Sequence, residues 1–130
     1  MKSRIEHAKG LWQKAENDLL AARAILATRQ ALDTVCFHAQ QTVEKCLKAV
    51  LALHDVEYPR RHDLAELMNL VKPLFPKISA FEESIISMAP FAVEIRYDTE
   101  FVPTLKQTNE AVETAASVHA LVGSALQSND

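Results

Sequence analysis

The chain has 130 residues, with 14 Lys and Arg against 17 Asp and Glu, and only two Gly, five Pro and two Cys. This length suits one domain with a real hydrophobic core, and we expect a single domain over residues 1–130. Two Gly are too few for a P-loop or a dinucleotide fingerprint, so Gly-rich phosphate loops are excluded. A net charge of −3 disfavours general nucleic-acid binding, so any phosphate contact must come from a local basic cluster.

Membrane and export signals are missing from the sequence. No apolar run approaches the roughly 20 residues that a membrane span needs, and the first residues lack the apolar core of a signal peptide. We therefore predict a cytoplasmic protein in which Cys36 and Cys46 are reduced. Ten helical residues would separate these thiols by about 15 Å. This spacing excludes a shared metal ion, and neither a metal nor a cofactor is predicted.

The first half of the chain predicts two long helices. Apolar and small residues recur in steps of three and four from Ile5 to Leu26, which is the pattern of one helix face. Ser3 and Glu6 have the spacing of a capping box and mark the start of this helix. A second stripe runs from Leu32 and predicts a helix over about 32–54. Because the connection is short, the two helices are expected to be antiparallel.

Two shorter helices are predicted next. Pro59 ends the second helix pattern. Asp63 has the position of an N-cap for a short third helix, which carries apolar residues as far as Leu74 and is limited by Pro73 and Pro76. Ser79 and Glu82 have capping-box spacing and predict the start of a fourth helix that ends near residue 90.

A long helix closes the chain. Residues 91–103 have an irregular pattern, and the capping-box pair Thr104 and Gln107 then marks the start of a fifth helix. No convincing strand is found. The predicted fold class is all-α: an up-and-down bundle of about five helices, with two long antiparallel N-terminal helices, two short helices and one long C-terminal helix.

One polar stripe stands out on the second helix. His38, Gln41, Lys45 and Lys48 are spaced by three, four and three residues and therefore share a face. From spacing alone, the favoured interpretation is a solvated face with a Gln41–Lys45 pair. The alternative is a surface for an anion or RNA, built from Lys45 and Lys48.

Two loop segments carry further candidates. Arg61 and His62 stand just before the third helix, either as solvated loop residues or as a phosphate site beside a helix N-terminus. Arg96 and Tyr97 precede the last helix among several carboxylates. They are interpreted either as a local ion pair or as a phosphate-binding Arg beside a ring that stacks on a base.

Four segments together resemble one family. The run CFHAQQTVEKCLKA over residues 36–49 is similar to the second-helix signature of the HEPN domain (higher eukaryote and prokaryote nucleotide-binding). The residues around Trp12 and Asp18 resemble the family's first helix. Arg61-His62-Asp63-Leu64 resembles its entry to the third helix, and Arg96-Tyr97 resembles its segment before the last helix. The resemblance spans nearly the whole chain and implies a helical bundle of four to five helices.

The resemblance implies two kinds of activity. Many HEPN proteins are metal-independent endoribonucleases in which four to six residues separate an Arg from a following His, with the two motifs brought together in a dimer. Others lack the motif and are viewed as nucleotide- or RNA-binding proteins, often paired with a minimal nucleotidyltransferase in a toxin–antitoxin-like arrangement. After Arg96 the relevant positions are Phe101, Val102 and Pro103, which cannot exchange protons.

We therefore interpret the chain as a non-catalytic nucleotide- or RNA-phosphate-binding HEPN protein, acting as a homodimer with a nucleotidyltransferase partner. The expected phosphate-binding residues are Lys45, Lys48, Arg61, His62 and Arg96, with Gln41 and Tyr97 reading or stacking a base. The first alternative is an endoribonuclease toxin with a degenerate motif that uses Arg96 and His62. The second is a structural helical adaptor.

Overall fold

The computed structural model describes residues 3–60, 63–93 and 97–128. These residues form five α-helices and no strand. The helices are α1 (Arg4–Leu26), α2 (Leu32–Leu53), α3 (Leu64–Val71), α4 (Glu82–Ile86) and α5 (Leu105–Gln127). Short 3₁₀ segments cover Pro76–Phe81 and Ala89–Phe91. The predicted all-α bundle, with two long helices, two short ones and a long last one, is confirmed.

The three long helices form the body of the bundle. Side chains near residue 18 of α1 meet those near residue 38 of α2, and Ala15 lies beside Thr42, so α1 and α2 are antiparallel. Trp12 of α1 meets His119 of α5, which runs antiparallel to α1 in turn. Ala8, Ala15 and Ala22 are fully buried on α1, because small side chains let the neighbouring helices approach closely.

The second helix is the central one. Fourteen of its 22 residues are buried, against four in α1, so α2 is covered on most of its sides. Leu47 and Leu51 fill the middle of the core together with Leu67 and Ile85 from the shorter helices. A helix that is buried on most sides has little room for a solvated polar face, so its charged residues need partners within the bundle.

The helix starts follow the predicted caps with one exception. Ser3, Asp63 and Thr104 accept hydrogen bonds from the backbone N–H groups three residues later, as expected of N-caps. Ser79 does not: the predicted fourth-helix start is wrong. A 3₁₀ segment begins at Pro76 instead, and α4 starts only at Glu82 with no side-chain cap. The proline fixes the backbone at the first position of this tighter turn and shifts the start.

The third helix is short and ends before Pro73, as predicted, but it does not include Leu74. It ends at Val71 rather than near Leu74. Pro73 cannot donate a backbone hydrogen bond and disfavours helical geometry at the residue before it, so the last predicted turn does not form.

Candidate functional site

A charged cluster joins α1 to α2. The carboxylate of Asp18 binds two side chains of the predicted polar stripe: His38 Nδ1 lies 2.9 Å from Oδ1, and the ammonium of Lys45 donates to Oδ2. The side chain of Asp18 is 13% exposed, while those of His38 and Lys45 are 27% and 30% exposed. Antiparallel packing places residue 18 opposite this stretch of α2. The polar stripe is therefore part of a helix–helix contact rather than an open face.

A second set of polar side chains continues along α2 into the core. Glu44 and Gln40 are almost fully buried and are joined by a 3.2 Å hydrogen bond from Gln40 Nε2 to Glu44 Oε1. Lys48 Nζ donates to Glu44 Oε2 at 3.2 Å, one helical turn away. Gln41 Nε2 donates to Gln40 Oε1 at 2.7 Å. The interpretation of this stripe as a solvated face with a Gln41–Lys45 pair is wrong, because Gln41 and Lys45 each bind other partners.

Lys48 connects this charged cluster to Tyr58, which follows α2 in the chain. Its ammonium lies 5.5 Å from the ring centroid of Tyr58, within the range of a cation–π contact. The Tyr58 hydroxyl lies 3.2 Å from Nε2 of His7, and the two rings are stacked with centroids 6.2 Å apart. No spacing in the sequence points to a contact between Tyr58 and His7, because 51 residues separate them and only the antiparallel packing of α1 and α2 brings them together.

Three of the predicted site residues share one surface. Gln41, Lys45 and Lys48 lie on the same partly buried face of α2, where the side chains of Lys45 and Lys48 are 30% and 13% exposed. Tyr97 is 72% exposed, and its neighbour Asp98 lines a cavity with Leu32 in the first turn of α2. Because Lys48 lies about 24 Å further along that helix, the structure does not bring Tyr97 to the two lysines. The predicted residues Arg61, His62 and Arg96 lie outside the described residues.

The two cysteines are core residues. Both are fully buried, and Cys36 Sγ lies 3.5 Å from Oγ1 of Thr108 on α5. Burial raises the pKa of the Cys46 thiol far above its ordinary value, and it also raises the pKa of the Cys36 thiol. Since the thiolate is the reactive form, neither side chain suits nucleophilic chemistry.

A separate aromatic contact links α1 to α5. Trp12 stacks on the His119 imidazole, and its Nε1 donates a 2.8 Å hydrogen bond to the backbone carbonyl of His119. Nε2 of His119 is buried without a hydrogen-bond partner among the described residues. Desolvation by burial lowers the pKa of this imidazole, with Glu16 acting in the opposite direction.

The described residues contain neither a metal-binding cluster nor a membrane-spanning helix. Within the described ranges, no three His, Cys, Asp or Glu side chains lie close enough together to hold a metal ion. No helix there is both long and apolar enough to cross a bilayer.

The fold and the order of these residues match a known family over most of the chain. The family profile of the HEPN domain matches residues 8–125. The chain belongs to the HEPN domain family. The matched range contains the Asp18–Lys45 contact, the buried Gln40 and Glu44, and all the predicted site residues, so the charged cluster lies within the HEPN domain.

A curated relative carries a functional name. The chain is 34% identical over 86 residues to "Putative toxin MJ1304" of Methanocaldococcus jannaschii, which covers 66% of this chain. The match covers 55% of the relative, so the chain spans about half the length of that protein. No solved structure matches the chain.

Proposed function

We propose that this HEPN protein binds nucleotides or RNA phosphates without cleaving RNA, and that it acts as a homodimer with a nucleotidyltransferase partner in a toxin–antitoxin-like pair. The observation that carries the proposal is the face of α2 that presents Gln41, Lys45 and Lys48. An ammonium group has three N–H donors; Lys45 uses one of them for the carboxylate of Asp18, and Lys48 uses one for the carboxylate of Glu44. The remaining donors can bind phosphate oxygens.

The carboxylates also set the character of the site. They hold the two ammonium groups in place and neutralise much of their charge. A site of this kind favours a specific contact with one or two phosphates over a strongly basic surface for a long polyanion. This agrees with the net charge of −3.

Binding experiments test the proposal. We expect purified protein at low salt to bind nucleotides or a short single-stranded RNA, and K45Q and K48Q to weaken that binding several-fold. K106Q is the matched control, because Lys106 is 86% exposed on α5 and forms only a long contact to Glu110. Circular dichroism establishes that the variants are folded. A wild-type protein that binds no nucleotide and no RNA at low salt contradicts the proposal.

The partner and the dimer need separate measurements. Light scattering on the purified chain gives its mass in solution, with a dimer expected. The proposal predicts a gene for a minimal nucleotidyltransferase beside the gene for this chain, and co-expression of the two is expected to yield a stable complex. A monomeric mass would contradict the proposed homodimer, and failure to form a complex would contradict the proposed partner. In either case the binding titrations still test nucleotide binding.

A second candidate function is an endoribonuclease toxin. The M. jannaschii relative is named as a toxin, which favours this candidate. It predicts growth arrest when the chain is expressed alone, and RNA cleavage in the presence of EDTA that is lost in R96A. Intact RNA in such an assay, together with normal growth, would support the non-catalytic alternative.

A further inference from the structure

A cavity opens at the end of the bundle where α1 begins and α2 ends. Its volume is about 690 Å³, within the roughly 300–1,000 Å³ typical of small-molecule sites. It lies next to the charged cluster, because Tyr58 lines the cavity and also contacts Lys48. The lining side chains with hydrogen-bonding or charged groups include Arg4, His7, Asp55, Glu57, Tyr58 and Arg60.

Two arginines, Arg4 and Arg60, line this cavity and provide hydrogen-bond donors for an anion. Neither Arg4 nor Arg60 forms an ion pair within residues 3–60, 63–93 and 97–128, although other basic residues there do. This distinguishes them from Lys45 and Lys48, whose charges are already compensated by carboxylates. The planar guanidinium group donates two parallel hydrogen bonds to a phosphate, which a lysine cannot do.

An aromatic pair, His7 and Tyr58, forms part of the cavity wall. His7 and Tyr58 are hydrogen-bonded and stacked, so each restricts the orientation of the other. The Lys48 ammonium near the Tyr58 ring further fixes that ring. A hydroxyl and an imidazole held in this way are suited to donate to, or accept from, a bound polar molecule.

Two carboxylates, Asp55 and Glu57, also line the cavity and restrict which ligands fit it. Asp55 adopts a left-handed backbone (φ 57°) in the turn after α2, and its N–H donates to Ala52. Its carboxylate and that of Glu57 are acceptors for hydroxyl donors, and they repel additional negative charge. The cavity thus combines cationic groups for one anion with acceptors for a hydroxylated group.

We propose that this cavity binds a nucleoside monophosphate, with the phosphate held by Arg4 and Arg60 and the ribose hydroxyls donating to Asp55 or Glu57. The inference rests on the proposed nucleotide-binding function and gives it a location and a ligand class. The single phosphate follows from the two carboxylates, which would repel the further phosphates of a triphosphate. The same chemistry is offered by the 5′-monophosphate end of an RNA.

The experiment compares four ligands on the full chain by calorimetry or NMR titration. They are AMP, ATP, a short RNA with a 5′-phosphate and the same RNA with a 5′-hydroxyl. The variants are R4Q and R60Q, with R23Q as control. Arg23 is exposed in the last turn of the same helix and lies about 28 Å from Arg4. We expect AMP to bind more tightly than ATP, and R4Q and R60Q each to weaken AMP binding about tenfold while R23Q leaves it unchanged.

The outcomes separate this inference from the broader proposal. The cavity assignment is overturned if AMP binding is unchanged in R4Q and R60Q. It is also overturned if the protein binds RNA through Lys45 and Lys48 but does not bind AMP. Either result leaves the proposed function unaffected. Absence of binding to every nucleotide and RNA overturns both. A 5′-phosphorylated RNA that binds more tightly than AMP and loses affinity in R4Q supports the cavity and identifies an RNA end as the source of the phosphate.

Discussion

The indole ring of Trp12 lies flat on the imidazole ring of His119, with the ring centroids 4.1 Å apart and the planes 10° from parallel. The contact joins the first and last helices of the bundle, and the indole N–H also binds the His119 carbonyl. Gly123, one turn further along α5, lies directly against the same indole. The stability of the α1–α5 contact therefore depends on an aromatic stack, a buried imidazole and the lack of a side chain at residue 123.

Replacing His119 by Phe is expected to remove an acid sensitivity of the fold. Burial lowers the imidazole pKa in the folded protein below the ordinary 6.5. As pH falls below 6.5, the unfolded chain takes up a proton that the folded chain resists, so the free energy of unfolding decreases until the folded pKa is passed. The slope from one such group is at most about 1.4 kcal/mol per pH unit.

Urea unfolding of wild type and H119F between pH 5 and 8 measures this effect. Phe keeps a ring against Trp12 but has no nitrogen left without a partner, so H119F is expected to gain about 1 kcal/mol at pH 7. The other histidines are common to both proteins and cancel in the comparison. Equal pH slopes for the two proteins would show that His119 does not contribute to the acid sensitivity.

Alanine at the two glycines is expected to have opposite effects. A Cβ at Gly123 would lie 2.8 Å from Cζ2 of Trp12, and the hydrogen bond to His119 prevents the indole from moving away easily. We expect G123A to lose about 1–2 kcal/mol, since the clash exceeds the gain in helix propensity. Gly10 has no atom within 4 Å of the new Cβ, so G10A is expected to gain about 1 kcal/mol. Thermal denaturation of both variants provides the comparison, and stabilisation by G123A would contradict it.

Neutralising Asp18 is expected to weaken the contact between α1 and α2. D18N leaves the partly buried ammonium of Lys45 without its carboxylate, at a cost of about 1–2 kcal/mol. E110Q is the control, because Glu110 and Lys106 form a 4.0 Å pair that is largely exposed and contributes less than about 0.5 kcal/mol. Equal stability of D18N and E110Q would show that the Asp18 cluster adds nothing to the fold.

The cap at Thr104 provides a test of helix starts. Thr104 and Gln107 form a reciprocal capping box at α5, with bonds of 3.0 Å and 2.9 Å. T104A is expected to lose about 1 kcal/mol, while S79A stays within about 0.5 kcal/mol because Ser79 caps no helix. Chemical denaturation measures both, and a loss in S79A as large as that in T104A would count against this assignment of the caps.

The fold could be predicted from the sequence because its signals are local. Helix periodicity and the caps at Ser3, Asp63 and Thr104 lie within a few residues of the features that they determine. Before α4, two local signals competed. Pro76 favoured a 3₁₀ turn, while the capping-box spacing of Ser79 predicted a helix start that did not form. The helical architecture could thus be predicted from the sequence, while the boundaries of the short helices depended on which local preference dominated.

The site was much less predictable, because its contacts are between distant parts of the chain. Lys45 and Lys48 could be identified as one face, but their spacing does not reveal that Asp18 and Glu44 neutralise them. A signal for Asp18 did exist: it is a carboxylate at the edge of a buried stripe, between Ala15 and Leu19. The pairing of His7 with Tyr58 had no sequence signal, since it depends on how α1 and α2 are aligned along each other.

The short connection between α1 and α2 also bears on how the chain folds. Only residues 27–31 separate the two helices, so the central helix meets its largest neighbour at little cost in loop-closure entropy. Arg29 and Ala31 both take a left-handed backbone there, which concentrates the reversal of direction in a few residues. Proteins in which contacts join segments close in the chain fold quickly. We expect this hairpin to be the nucleus on which α5 docks last, tying together the two ends of the chain.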